Sequence, residues 1–214
     1  MLENILFIDF KKAFDSLNHE FLIRLLHHIR IPNSTINVVR YLLTELTALT
    51  TFRGTPPAKI QLGKGVKQGC PLSPLLFILV MEVLDDAIIR PPHNNIDQND
   101  SDIDSALYAD DAAYASHRLA DFILELNKIF RTFGEATGLH VNVIKSCIVK
   151  ARPTSATTRR ITQQLSECSW CNLPIRPWAK WLGTLVGSKV TPTRIIFSPT
   201  HLLNSKTGCS ATSR

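Results

Sequence analysis

Residues 104–114 read DSALYADDAAY, so two aspartates, Asp110 and Asp111, stand side by side between short apolar stretches. Burying adjacent charges is expensive unless something neutralises them. A third carboxylate, Asp9, lies at the end of the apolar run NILFIDF over residues 4–10. It is 101 positions from Asp110, so only tertiary pairing can bring the two together. If the strands that carry them are neighbours, three carboxylates converge, and like-charge repulsion raises their pKa values. A divalent cation removes that conflict, and an oxygen-only ligand set favours Mg2+ or Mn2+ over zinc. Two such ions on shared carboxylates suit in-line phosphoryl transfer, one activating a hydroxyl and the other stabilising the leaving oxygens. Taken by itself, the Asp110-Asp111 pair fits an exposed turn equally well, because Asp is common in turns.

A second spacing with chemical meaning is Cys168-Ser-Trp-Cys171. The later candidates to complete a metal site, His201 and Cys209, match no common zinc pattern, so reduced thiols are the default reading. An odd count of five cysteines argues against a disulfide framework.

The elements that would position the carboxylates can be read from periodicity. NILFIDF is a short, nearly continuous apolar run, the pattern of a buried strand. Phe21, Leu22, Leu25, Leu26 and Ile29 recur at helical spacing and stop before Pro32. A second helix is predicted over 34–46, with Ser34 as its N-cap. Residues 49–62 read as a hairpin around a Gly/Pro turn. The loop KGVKQGCPLSP leads to a largely apolar helix from Ser73-Pro74 to about Ile89. Residues 90–102 are a polar loop. Two short strands meet at the aspartates, and Leu119 to Phe133 mark a long amphipathic helix closed by Gly138. Residues 139–149 look strand-like throughout, and 177–187 can form one more hairpin. The predicted class is α+β, an antiparallel sheet with helices packed on one face.

Five stretches, in order, carry a resemblance: FIDFKKAFDS (7–16), GVKQGCPLSPLLF (65–77), YADD (108–111), GLHVNVIKS (138–146) and KWLG (180–183). They resemble successive palm motifs of reverse transcriptases, most closely those of non-LTR retrotransposons. The resemblance spans roughly residues 5–185 and implies a polymerase palm that copies an RNA template from a DNA primer with dNTPs and two Mg2+ (or Mn2+) ions. By the same resemblance, Asp9 and Asp110 bind both metals and Asp111 completes the acidic cluster. The backbone carbonyl of Ile8 or Phe10 adds a ligand. Phe14 crowds the sugar 2′-carbon and so favours dNTPs, which argues against a template-dependent RNA polymerase; core packing is its other reading. Gln68 and Gly69 lie beside the incoming nucleotide, Lys145 lies near the triphosphate, and Trp181, Leu182 and Gly183 grip the primer end or cap the sheet. Asp15 is expected to cap a helix start rather than bind metal. Tyr108 is expected to pack beneath the aspartates.

Charge divides the chain unevenly. Residues 1–150 carry a net −2 and residues 151–214 a net +8, giving the overall +6. A basic end on an acidic body suits a polyanion partner, although a solvated tail has the same composition. The expected organisation is a palm over 1–187 and a basic, poorly structured tail over 188–214. No basic leader precedes the first apolar run, and the run LLFILVMEVL is too short to span a bilayer, so an intracellular setting with no membrane partner is expected. The chain starts almost at the first motif and continues only 31 residues beyond Gly183, leaving little room for fingers or thumb. Weak or absent polymerase activity of this chain alone is therefore expected. The competing reading is a non-catalytic retroelement remnant that at most binds nucleic acid.

Overall fold

A computed structural model describes residues 4–44, 47–51, 53–54, 56–89, 103–150 and 155–187. The loop expected over 90–102 and the tail expected over 188–214, with His201 and Cys209, lie outside the described residues.

Strand β1 (Asn4–Asp9) sits at the centre of a five-stranded sheet, with two strands on either side of it. It pairs antiparallel with β5 (Asp111–Ser116) on one side and β6 (Cys147–Lys150) on the other. Strand β4 (Asp104–Tyr108) forms the outer edge, antiparallel to β5. The short β7 (Ile175–Arg176) runs parallel to β6, so the sheet is mixed rather than wholly antiparallel. Parallel neighbours need a crossover, and helix α6 (Ser155–Ser166), which periodicity did not predict, supplies it.

The near-continuous apolar run of β1 has a physical cause, for both faces of the sheet are covered. Side chains alternate along a strand. Leu6, Ile8 and Phe10, with Ala112 and Tyr114 of β5, face a core built with the helices α2 (His19–His28), α3 (Asn33–Thr44), α4 (Leu72–Ile89) and α5 (Leu119–Thr137). Ile5 and Phe7, with Ala113, Ala115, Cys147 and Val149, face the opposite way. There the antiparallel hairpin β8 (Trp178–Trp181) and β9 (Thr184–Gly187) lays Ala179 and Val186 on them. The helices thus cover one face, as expected, and a hairpin covers the other.

Local chemistry sets the helix ends. The Asn18 side chain caps α2 by accepting from the backbone N–H of Glu20 and Phe21. Helix α3 begins at Asn33, so Ser34 lies inside its first turn instead of capping it. Gly138 ends α5 at φ 82, the left-handed C-terminal position foreseen for it. A second hairpin, β2 (Thr47–Thr50) with β3 (Ala58–Gln61), stands apart from the main sheet. Residues 139–149 are a strand only from Cys147. Val141 makes an isolated bridge to Phe10, and a turn follows over 143–145. Among the described residues no helix is long and apolar enough to cross a membrane.

Candidate active site

The β1–β5 register sets Asp9 directly opposite Asp111. Asp110 belongs to the two-residue turn that joins Tyr108 of β4 to Asp111 of β5. Asp9 and the adjacent pair Asp110-Asp111, far from it in sequence, therefore lie at one end of the central strands. Opposed like charges on paired strands repel at this spacing. The Asp111 carboxyl is accordingly pushed above its ordinary range, first by burial and then by the charges of Asp110 and Asp9. Strand alternation places Asp9 on the same face as Ile5 and Phe7, and Asp111 on that of Ala113 and Ala115. The carboxylates thus lie on the hairpin side of the sheet. Ala109, preceding them, has φ 51, a left-handed conformation that costs a non-glycine residue about 1–2 kcal/mol.

Asp9 is held from several directions. Its N–H donates to Ser146 Oγ at 3.0 Å, and its carbonyl accepts from the Asn142 N–H at 2.8 Å. The Asn142 amide donates to its carboxylate Oδ1 at 2.9 Å, and Lys145 Nζ lies 4.0 Å from Oδ2. Lys145 itself is largely exposed. Asn142 and Ser146 were not expected to touch the site. The available clue was a pair of polar residues interrupting the otherwise apolar stretch LHVNVIKSCIV.

Among the described residues no three His, Cys, Asp or Glu side chains close into a metal-ligand cluster. The Asp9 carboxylate engages Asn142 through Oδ1 and lies beside Lys145 through Oδ2. The donor chemistry still fits a hard divalent cation. The three groups offer only oxygens, and their mutual repulsion is the kind that such an ion relieves. Cys168 and Cys171 are free thiols.

The remaining expected residues surround this point. Ile8 precedes Asp9, and its side chain is buried in the helix-side core. Phe14 lies on the short helix α1 (Ala13–Ser16), stacked on Phe77 of α4 with ring centroids 4.8 Å apart. Asp15 is exposed in the first turn of α1. The loop bearing Gln68 and Gly69 is tied to that helix, because Gly65 N–H donates to the Leu17 carbonyl and Val66 N–H to that of Phe14. Gly65 must be glycine here: at φ 87 an added Cβ would stand 2.8 Å from the Phe14 carbonyl. Gln68 Nε2 approaches Asp15 Oδ1 at 3.5 Å, and Gly69 has open space around it at φ 84. The Trp181 ring lies 5.9 Å from that of Phe7, on the carboxylate side of the sheet. Leu182 and Gly183 form the hairpin tip, both at positive φ. Tyr108 is 64% exposed, contrary to expectation, because β4 is the sheet's edge strand.

A family profile described as reverse transcriptase (RNA-dependent DNA polymerase) matches residues 2–196. The chain belongs to the reverse transcriptase family. It is related to Pol proteins of non-LTR retrotransposons. One relative is the Pol polyprotein of retrotransposable element R2 from Popillia japonica, 39% identical over 84 residues, covering 38% of this chain and 12% of that protein. The R2 polyprotein of Nasonia vitripennis is 32% identical over 109 residues, 50% of this chain and 10% of its own length. The transposon TX1 149 kDa protein of Xenopus laevis is 26% identical over 141 residues, 65% of this chain and 11% of that protein. This reverse transcriptase chain thus spans about a tenth of the length of the curated relatives it matches. Among solved structures, a telomerase from Candida albicans in complex with a TWJ fragment of telomeric RNA superposes with TM-score 0.61 at 14% identity. It covers 86% of this chain and 30% of that one. At that identity the likeness establishes the fold.

Proposed function

We propose that residues 1–187 form a polymerase palm for template-directed DNA synthesis from dNTPs on an RNA template, with 188–214 as a basic tail. The observation that carries this reading is the register Asp9 opposite Asp111, with Asp110 on the adjoining turn, in a reverse transcriptase chain. Asp9, Asp110 and Asp111, with the Ile8 carbonyl, are the groups that would hold two Mg2+ or Mn2+ ions. Those ions, when bound, activate the primer 3′-hydroxyl and stabilise charge on the transferring phosphate.

The chain's own side chains do the rest. Phe14, fixed against Phe77, presents a rigid ring where a ribose 2′-hydroxyl would clash, which selects deoxynucleotides. Gln68 and the unhindered backbone of Gly69 line the approach of the nucleotide. Lys145, whose exposed Nζ lies 4.0 Å from Asp9 Oδ2, would pass a proton to the departing pyrophosphate oxygen. The Trp181-Leu182-Gly183 tip lies on the same face as the carboxylates, where a primer end could rest. Positioning supplies most of the rate in such chemistry, so the clamps around the palm set how fast any one chain works.

Primer extension tests the reading. The wild-type chain with Mg2+, an RNA template, a DNA primer and dNTPs is compared with Asp110→Ala. Template-dependent incorporation that falls to background in the variant supports the assignment. Incorporation that survives Asp110→Ala refutes the two-metal role. RNA binding with no incorporation by the wild-type chain favours the non-catalytic remnant.

A further inference from the structure

The turn Asn142–Ser146 makes most of its outward hydrogen bonds to one residue, Asp9. The β1–β6 ladder ends at Phe7 opposite Cys147, so Asp9 has no strand partner on that side. The turn takes the ladder's place. The buried Ser146 hydroxyl accepts from Asp9 N–H at 3.0 Å and donates to the Asp9 carbonyl at 3.5 Å. The Asn142 N–H donates to that same carbonyl at 2.8 Å. The turn is itself braced, since the N–H groups of Lys145 and Ser146 both donate to the Asn142 carbonyl, at 3.1 and 2.9 Å. These bonds satisfy the backbone and need no particular side chain at position 142.

The bond from Asn142 Nδ2 to Asp9 Oδ1 at 2.9 Å is different in kind. It fixes the rotation of a carboxylate. A neutral amide orients that group without cancelling its charge, and it occupies one oxygen while leaving Oδ2 toward the solvent-exposed Lys145. We infer that Asn142 is a positioning residue: it locks the Asp9 carboxylate by Oδ1 so that Oδ2 is presented to a divalent cation. This rests on reading Asp9 as a metal ligand. Outer partners that hydrogen-bond a ligating carboxylate typically account for 10- to 100-fold in metal affinity.

The test measures Mn2+ binding directly, by the loss of the free-ion electron paramagnetic resonance signal, on the full chain without nucleic acid. Four proteins are compared: wild type, Asn142→Ala, Asn142→Gln and Asp110→Ala. Each is also unfolded thermally without metal. The expected result is that Asn142→Ala weakens Mn2+ binding about tenfold. Its unfolding midpoint stays at the wild-type value, because the backbone bond at 142 remains. Asn142→Gln, which keeps the amide donor, is expected to recover part of the loss, and Asp110→Ala to abolish binding. Wild-type affinity in Asn142→Ala with binding still abolished in Asp110→Ala overturns the positioning role alone. A loss of affinity that only tracks a lowered midpoint overturns it too, as a purely structural effect. Equal binding in wild type and Asp110→Ala, or none in wild type, overturns the metal-ligand reading and this role with it.

Discussion

Asp85 on α4 keeps one carboxylate oxygen bonded to Ser105 at 3.1 Å, while its other oxygen and the hydroxyl of fully buried Tyr114 have no hydrogen-bond partner among the described residues. Burial pushes the Asp85 carboxyl up, and the Tyr114 hydroxyl is pushed up by burial and then by the Asp85 charge. The sign of the pH effect follows. With a folded-state pKa above the unfolded value of about 3.9, Asp85 favours folding most when protonated, and that contribution is lost as pH rises through the folded pKa. Asp85→Asn removes the penalty while keeping the shape and an acceptor for Ser105. The variant should match wild type near pH 4 and exceed it at neutral pH. Asp85 is only partly buried, so the gain is about 1 kcal/mol or less after solvent screening. Urea unfolding at the two pH values checks this, and a variant less stable than wild type at pH 7.5 contradicts it. The three clustered carboxylates differ from this pair in one respect. That the strands carrying Asp9 and Asp111 would be neighbours could be expected from motifs that occur in order along the chain. The meeting of Asp85 and Tyr114 could not, since nothing in a sequence tells that a helix carboxylate and a strand hydroxyl will share one buried spot.

At the scale of elements, the joints between α5 and α1 show what periodicity can and cannot reveal. Gly138 was readable as a helix stop, but its second duty is tertiary: an added Cβ would stand 2.3 Å from the Ser16 carbonyl oxygen. Next to it, the Thr137 carbonyl accepts from Asn18 N–H at 2.7 Å, joining the end of α5 to the start of α2. Gly138→Ala therefore combines left-handed strain with a backbone clash and should cost at least about 2 kcal/mol, read as a lowered urea midpoint at unchanged slope. A midpoint within error of wild type would show that the joint can relax. Long helices such as α4 and α5 and the two hairpins beside the site were legible from apolar period and turn chemistry. Helix α6 was not, because SATTRRITQQLS carries just two large apolar residues, Ile161 and Leu165, both buried. The stretch 139–149 misled in the opposite way. Val141, Val143 and Ile144 read as strand, yet Ile144 is 85% exposed in a turn whose shape is set by the bonds to Asp9.

At the scale of the molecule, the described residues seal the sheet with helices on one side and with one short hairpin on the other. The hairpin side is the thinner seal, and the candidate active site opens beside it. Ala179, Val186 and the Trp181 ring cover Phe7, Cys147 and Val149. Burial shields the Cys147 thiol and raises its pKa, which together suppress its reactivity. Trp181→Ala would strip the largest of these covering groups. Because Trp181 is only partly buried, the expected loss is about 2 kcal/mol, below that for a fully buried Trp. If the hairpin opens as a unit, that loss appears as a rise of more than tenfold in Cys147 alkylation, followed residue by residue by peptide mass spectrometry. Leu182→Ala supplies the control, since Leu182 at the tip is 45% exposed and should leave both stability and Cys147 protection nearly unchanged. The pair of variants separates the two duties expected of this hairpin. A primer-extension defect in Leu182→Ala with Cys147 still protected would locate the grip at the tip. A defect confined to Trp181→Ala and matched by Cys147 exposure would mean that the hairpin serves the site by sealing the sheet.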